Sequence, residues 1–234
     1  MKIQKFNILF RIYRFKYYVL NKLYKNELGE IYNLVNKFSA YSGYNKSPEL
    51  SERIVDLYLN IKTKKIKSIL EIGAGRTTIF FAYLKQKGVI NELITLEQDK
   101  LFLEKVNSFI HSYGLNARLI HSNIVIDKNG HYLDYQPSDN IDMIYIDGPD
   151  DLSRSVIYDT PDGKAICKDV VNYFNNNFFP KYIFFDGRVS SVDYTLSFTN
   201  KYLFVPGYRW AHKKNNFIAK LHFNRHSYFK LKKN

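Results

Sequence analysis

Between residues 67 and 199 short apolar runs alternate with longer amphipathic ones. Ile69, Leu70 and Ile72 form an uninterrupted run that suits a strand buried on both faces. Comparable runs predict strands at Ser68–Ile72, Leu93–Glu97, Ala117–His121, Met143–Asp147 and Tyr182–Asp186. The intervening patterns predict helices at Thr77–Lys87, Lys100–Ser112, Gly163–Asn176 and Val189–Thr199. Strand and helix in strict alternation predict an α/β domain, a mostly parallel sheet with helices on both faces. Ile124–Tyr135 breaks the rhythm and reads as a small hairpin turning at Asn129-Gly130. Two further strand-like runs, Tyr202–Val205 and Phe217–Phe223, are joined by Pro206–Asn216 and close the chain.

Upstream of residue 63 the period is helical. Ile3, Phe6, Phe10, Tyr13, Tyr17, Leu20 and Tyr24 follow one another in steps of three and four, with Lys and Arg between them. That spacing makes an amphipathic helix. It is too often interrupted by charge to span a bilayer or to serve as a secretory leader. Its stripe can lie on an anionic membrane surface or pack on the domain or a second subunit. Glu30–Phe38 and Glu49–Asn60 predict two more helices, the second starting at Ser47-Pro48. Ser39–Lys46 reads as a polar, aromatic loop between them. The expected organisation is a helical extension over residues 1–62 and a domain over 63–234.

Length and composition permit one sizeable core. A lone cysteine, Cys167, excludes an internal disulfide and a thiolate zinc site, and makes a reducing, cytoplasmic setting the expectation. The net charge of +13 is confined to the ends: residues 1–25 hold seven Lys/Arg and no acid, and residues 194–234 hold nine and no acid. The middle is therefore slightly acidic, which counts against nucleic acid as the partner.

Candidate chemistry concentrates where the first strand ends, at Glu71-Ile-Gly73-Ala74-Gly75-Arg-Thr77-Thr78. Glycines there let a ligand approach the backbone, and the first helical turn offers free N–H groups. The dinucleotide fingerprint G-x-G-x-x-G requires a third glycine where Thr78 stands, and the Glu71 carboxylate would repel a pyrophosphate. Glu97 lies at the next strand end, 22 residues beyond Gly75, a place from which an acid accepts both hydroxyls of a ribose.

The E-x-G-x-G turn with Glu97 downstream resembles the class I S-adenosylmethionine-dependent methyltransferases, over roughly residues 65–225. The resemblance implies a Rossmann-like seven-stranded, mostly parallel sheet. It implies cofactor contacts from Glu71, Gly73, Ala74, Gly75, Thr77, Thr78, Glu97 and Gln98, with Ser122 and Asn123 near the adenine and Asp147 near the methyl group. Ile146-Asp147-Gly148-Pro149 differs from the N-P-P-Y or D-P-P-Y of enzymes that methylate base amines. It resembles O-methyltransferases of the catechol and glycan-modifying type, in which an aspartate acts as general base or helps hold a divalent ion. Asp186-Gly187-Arg188 continues this likeness. Asp147 and Asp186 would share Mg²⁺ if one is used, although Gly187 stands where catechol-type enzymes place a ligating Asn. Arg188 would pair with an acceptor carboxylate or phosphate.

The implied activity is O-methylation of a sugar or other small hydroxyl acceptor, as in surface polysaccharide biosynthesis, with the basic terminal helix touching the inner membrane face. An RNA methyltransferase and a non-catalytic S-adenosylmethionine-binding module are the alternatives. The histidines have no ligand spacing and no G-x-S-x-G is present, which excludes motif-based protease and serine-hydrolase readings.

Overall fold

Ser68–Ile72 forms β1, and all five of its residues are buried because hydrogen-bonded strands flank it on both edges. The computed structural model describes residues 15–43, 50–127, 130–137, 140–148, 165–207 and 226–232. In chain order the elements are α1 (described over residues 15–23), α2 (Lys25–Ser42), α3 (Leu50–Lys64), β1, α4 (Arg76–Gln86), β2 (Glu92–Glu97), α5 (Lys100–Ser112), β3 (Arg118–His121), β4 (Ile124–Asp127), β5 (Gly130–Leu133), β6 (Met143–Ile146), β7 (Ile166–Cys167), α6 (Asp169–Asn175), β8 (Tyr182–Phe185), α7 (Val189–Phe198), β9 (Tyr202–Val205) and β10 (Ser227–Leu231). Seven strands make one sheet in the order β3-β2-β1-β6-β8-β10-β9. Six run in one direction, and β10 enters antiparallel between β8 and β9. β4, β5 and β7 form a separate small sheet.

The strict alternation of side chains along each strand divides the interior in two. Ile69, Leu93, Met143, Tyr145 and Phe184 point to one face, where they pack with α2, α3 and α4. Leu70, Ile72, Ile94, Leu96, Ile144, Ile146, Ile183 and Phe185 point to the other, against α6 and α7. α4 is apolar all round, with Ile79 to Leu84 buried, because it is enclosed between the sheet and α2. The helices at residues 25–64 thus share a core with the sheet.

The strands predicted at β1, β2, β3, β6, β8 and β9 form within about one residue of their expected ends, as do α4, α5 and α7. Two expectations are corrected. The loop expected from Ser39 begins later: α2 runs on through Ser42, with Ser39 and Ser42 hydroxyls on the Val35 and Phe38 carbonyls, and Gly43 ends it in the left-handed region (φ 80°). The helix expected over Gly163–Asn176 is divided, with residues 163–164 outside the described part, Ile166–Cys167 paired to β5, and only Asp169–Asn175 helical. The strand expected at Phe217–Phe223 lies outside the described residues, as do the Ser47-Pro48 start and Asn129. A further strand, Ser227–Leu231, lies in the sheet and was unrecognised in a lysine-rich tail because only Ser227 and Phe229 of its residues are buried.

Over the described part of the N-terminal helix the apolar stripe packs on the domain. Tyr17 is buried, and Leu20 and Tyr24 pack on the same cluster. No described helix is long and apolar enough to cross a membrane.

Candidate active site

β1 and β6 are neighbours in the sheet, but the chain leaves them toward opposite edges, β1 toward β2 and β6 toward β8. A crevice opens beyond the carboxyl ends of two strands related in this way. Here it is a cavity of about 370 Å³. Two glycines set how closely its walls approach. Gly73 follows β1 with φ 91°, and a Cβ on it would lie 2.3 Å from the Gly148 Cα. A Cβ on Gly148 would lie 2.4 Å from the Gly73 Cα. The N–H groups of Asp147 and Gly148 both donate to the Ile72 carbonyl, which fixes the contact. The glycine of Ile146-Asp147-Gly148 therefore has a steric cause. Gly148→Ala is expected to lower stability by about 2–3 kcal/mol, as backbone must move to admit the methyl. Urea unfolding checks this, and a loss below about 0.5 kcal/mol would contradict it.

Gly75 differs. It caps α4, and a Cβ there would meet nothing within 4 Å, so the space beside it is open to a ligand. Ala74 and Arg76 line the same wall. The turn is held from below by Glu71. Its Oε2 accepts from Thr78 Oγ1 (2.7 Å) and from Thr95 Oγ1 (2.8 Å), the residue paired with it across β1 and β2. Thr78 Oγ1 in turn accepts the Gly75 N–H (2.8 Å). Glu71, Thr77 and Thr78 are buried and do not line the cavity.

Burial raises the Glu71 carboxyl to about 8, against three threonine hydroxyls that favour its ionised form. Its ordinary value is 4.5, so between there and about 8 the folded chain holds a proton that the unfolded chain has lost. Stability falls as pH rises through that window, by at most about 1.4 kcal/mol per pH unit. Glu71→Gln, a lasting substitute for the neutral carboxyl, is expected to lose less stability than wild type between about pH 5 and 8. Equal losses in urea titrations would contradict this.

On the other side of the turn Glu97 is buried at the end of β2. Its Oε2 accepts from the Ala74 N–H (2.8 Å) and its Oε1 from the Asp99 N–H (2.9 Å). Burial raises its pKa, opposed by backbone donors at Asp99, Ala74 and Gln98. Three backbone donors leave acceptor capacity on the carboxylate, and Glu97 lines the cavity with Gln98, Asp99 and Phe102. Gln98 Oε1 and Ser122 Oγ are buried with no hydrogen-bond partner, as is Glu71 Oε1. Ser122 and Asn123 follow β3 but are not on the cavity wall, and Asn123 is exposed.

Across the glycine contact stand Asp147, Asp186 and Arg188. Asp147 accepts from Thr77 Oγ1 (3.3 Å). Arg188 donates to the Asp147 carbonyl through Nη2. Gly187 turns the chain in the left-handed region (φ 67°), which aims Arg188 back from the start of α7. Removal from water raises the Asp147 carboxyl to about 6, helped by the adjacent Asp186 and opposed by Arg53 and Arg188.

Arg53 was not recognised in the sequence. It reaches the cavity from α3, with Nη1 at 2.8 Å from Asp186 Oδ2 and 3.9 Å from Asp147 Oδ2. One turn on, Asp56 accepts from Tyr17 Oη (3.0 Å) and holds His226 Nδ1 (2.7 Å), and His226 Nε2 lies 3.9 Å from Asp186. A signal for these residues does exist. Arg53, Asp56 and Asn60 recur at steps of three and four among the buried apolar residues of α3, where polar side chains need partners. A divalent ion shared by Asp147 and Asp186 does not fit this arrangement, because Arg53 already lies between them. Among the described residues no three Asp, Glu, His or Cys could hold a metal.

Neither protein-family models nor curated proteins match the chain. Solved structures do. A Staphylococcus aureus protein provisionally assigned as a caffeoyl-CoA O-methyltransferase is 15% identical, over 94% of this chain and 100% of that chain, with a TM-score of 0.52. An O-methyltransferase from Bacillus cereus, in complex with SAH, is 15% identical over 92% and 97%, with a TM-score of 0.47. Strand order, the reversed β10 and the first of these likenesses agree: the chain has the class I methyltransferase fold.

Proposed function

We propose that the chain is an S-adenosylmethionine-dependent O-methyltransferase acting on a hydroxyl of a sugar or other small polar acceptor. One observation carries the reading. A buried acid with acceptor capacity left, Glu97, and an acid with a raised pKa, Asp147, face one cavity from the two sides of the switch point. Glu97 would accept the ribose hydroxyls. The Gly73–Gly75 backbone would pass under the methionine part, with Glu71 positioning it through Thr78. Gln98 and Phe102 supply an acceptor atom and a ring at the adenine end.

The reaction is an in-line displacement. The acceptor O–H gives its proton to the Asp147 carboxylate while the oxygen forms a bond to the methyl carbon. The carbon–sulfur pair returns to sulfur, which leaves as a neutral thioether. Most of the acceleration comes from holding oxygen, carbon and sulfur in line. A polar acceptor fits best because the described wall beyond Asp147 consists of Arg53, Asp186 and Arg188, with no aromatic or aliphatic side chain.

The test is transfer of labelled methyl from S-adenosylmethionine to a panel of sugars and glycans, a catechol and RNA. The expected product is a base-stable methyl ether on a sugar. Label in RNA with none in the glycans would overturn the acceptor assignment.

A further inference from the structure

We infer that methyl transfer at this site proceeds without a divalent ion, with Arg53 of α3 occupying the position between Asp147 and Asp186 that such an ion would take. This rests on the methyl-transfer reading above. The Arg53 guanidinium is in salt-bridge contact with Asp186 and within 3.9 Å of Asp147. A planar, permanently charged group at those distances neutralises both carboxylates as a bound cation would. Arg188, bound to the Asp147 carbonyl, adds a second fixed positive charge. Among the described residues, two carboxylates and two guanidinium groups sum to zero. A Mg²⁺ added to them would bring the cluster to +2 and lie against two cations.

Among the described residues the third ligand that catechol-type sites place after this strand is also missing. Gly187 follows Asp186 with no side chain. His226 is fully buried and bound through Nδ1 to Asp56, whose other oxygen is held by Tyr17. When the acceptor proton passes to Asp147 and negative charge develops on the attacking oxygen, the nearest fixed positive charge on the wall is a guanidinium. This gives the N-terminal helices a role in the site. α3 delivers the cation, and the Tyr17–Asp56–His226 contacts fix α3 against β10.

Manganese uptake followed by electron paramagnetic resonance tests the inference without an identified acceptor. Wild type, Arg53→Ala and Asp147→Asn are titrated with Mn²⁺, each with S-adenosylhomocysteine bound. Wild type is expected to leave the free Mn²⁺ signal unchanged. Arg53→Ala is expected to take up one Mn²⁺ per chain, about tenfold or more tighter than wild type, because its two carboxylates have lost their cation. If Arg53→Ala does not fold, Arg53→Gln removes the charge while keeping length and hydrogen bonding. Stoichiometric Mn²⁺ uptake by wild type that Asp147→Asn abolishes overturns the inference, as does no gain in the folded Arg53 variant. Calorimetry on the same wild-type sample separates the two claims: absence of S-adenosylhomocysteine binding removes the methyl-transfer reading, whatever Mn²⁺ does.

Discussion

Asp147→Asn is expected to slow methyl transfer by roughly 10²–10⁴-fold, the usual contribution of a positioned general base, with S-adenosylhomocysteine binding nearly unchanged. The substitution preserves shape and removes only the ability to accept a proton. In wild type the Asp147 carboxyl is raised to about 6 by burial and by Asp186, against Arg53 and Arg188. The base works in its ionised form, so kcat is expected to rise with pH and level off above about 6. Below that the carboxyl carries its own proton and cannot take one from the acceptor. Asp147→Asn should lose the rise as well as the rate. Turnover equal to wild type would remove Asp147 from the mechanism and leave it its structural contacts with Thr77, Arg53 and Arg188.

Glu97→Ala is expected to weaken S-adenosylmethionine binding by about 30- to 150-fold, or roughly 2–3 kcal/mol, the value of hydrogen bonds to a charged acceptor removed together. The carboxylate has two duties, since it also accepts the Ala74 and Asp99 N–H groups. Part of any loss could therefore arise from a loosened glycine turn. Unfolding of the ligand-free variant measures that part, and the ligand-induced rise in Tm measures the rest. A variant as tight as wild type would move the ribose away from Glu97.

Much of this site was legible because its residues stand at strand ends. Gly73–Gly75, Glu97, Asp147, Asp186 and Arg188 each follow a strand, and strand ends in an alternating α/β chain converge on one rim. The cavity brings all of these together. Local pattern could not distinguish residues that touch the cavity from residues beneath it. Glu71, Thr77 and Thr78 belong to the turn yet lie under it, because strand alternation sends Glu71 to the same face as Thr95 and Tyr145. Nor could it supply Arg53. That residue is more than 90 positions from Asp147 and reaches it only because α3 packs along the edge of the cleft. β10 was hidden for a related reason. A strand entering antiparallel between β8 and β9 takes its stability from two ready-made edges, so it needs little apolar character of its own.

A crystal structure with S-adenosylhomocysteine bound tests the central claim most directly. The ribose hydroxyls are expected on Glu97, the homocysteine part over Gly73–Gly75, and the sulfur directed at the space between Asp147 and Arg53. A ligand bound elsewhere, or a cleft that stays empty in crystals soaked to saturation, would contradict the account.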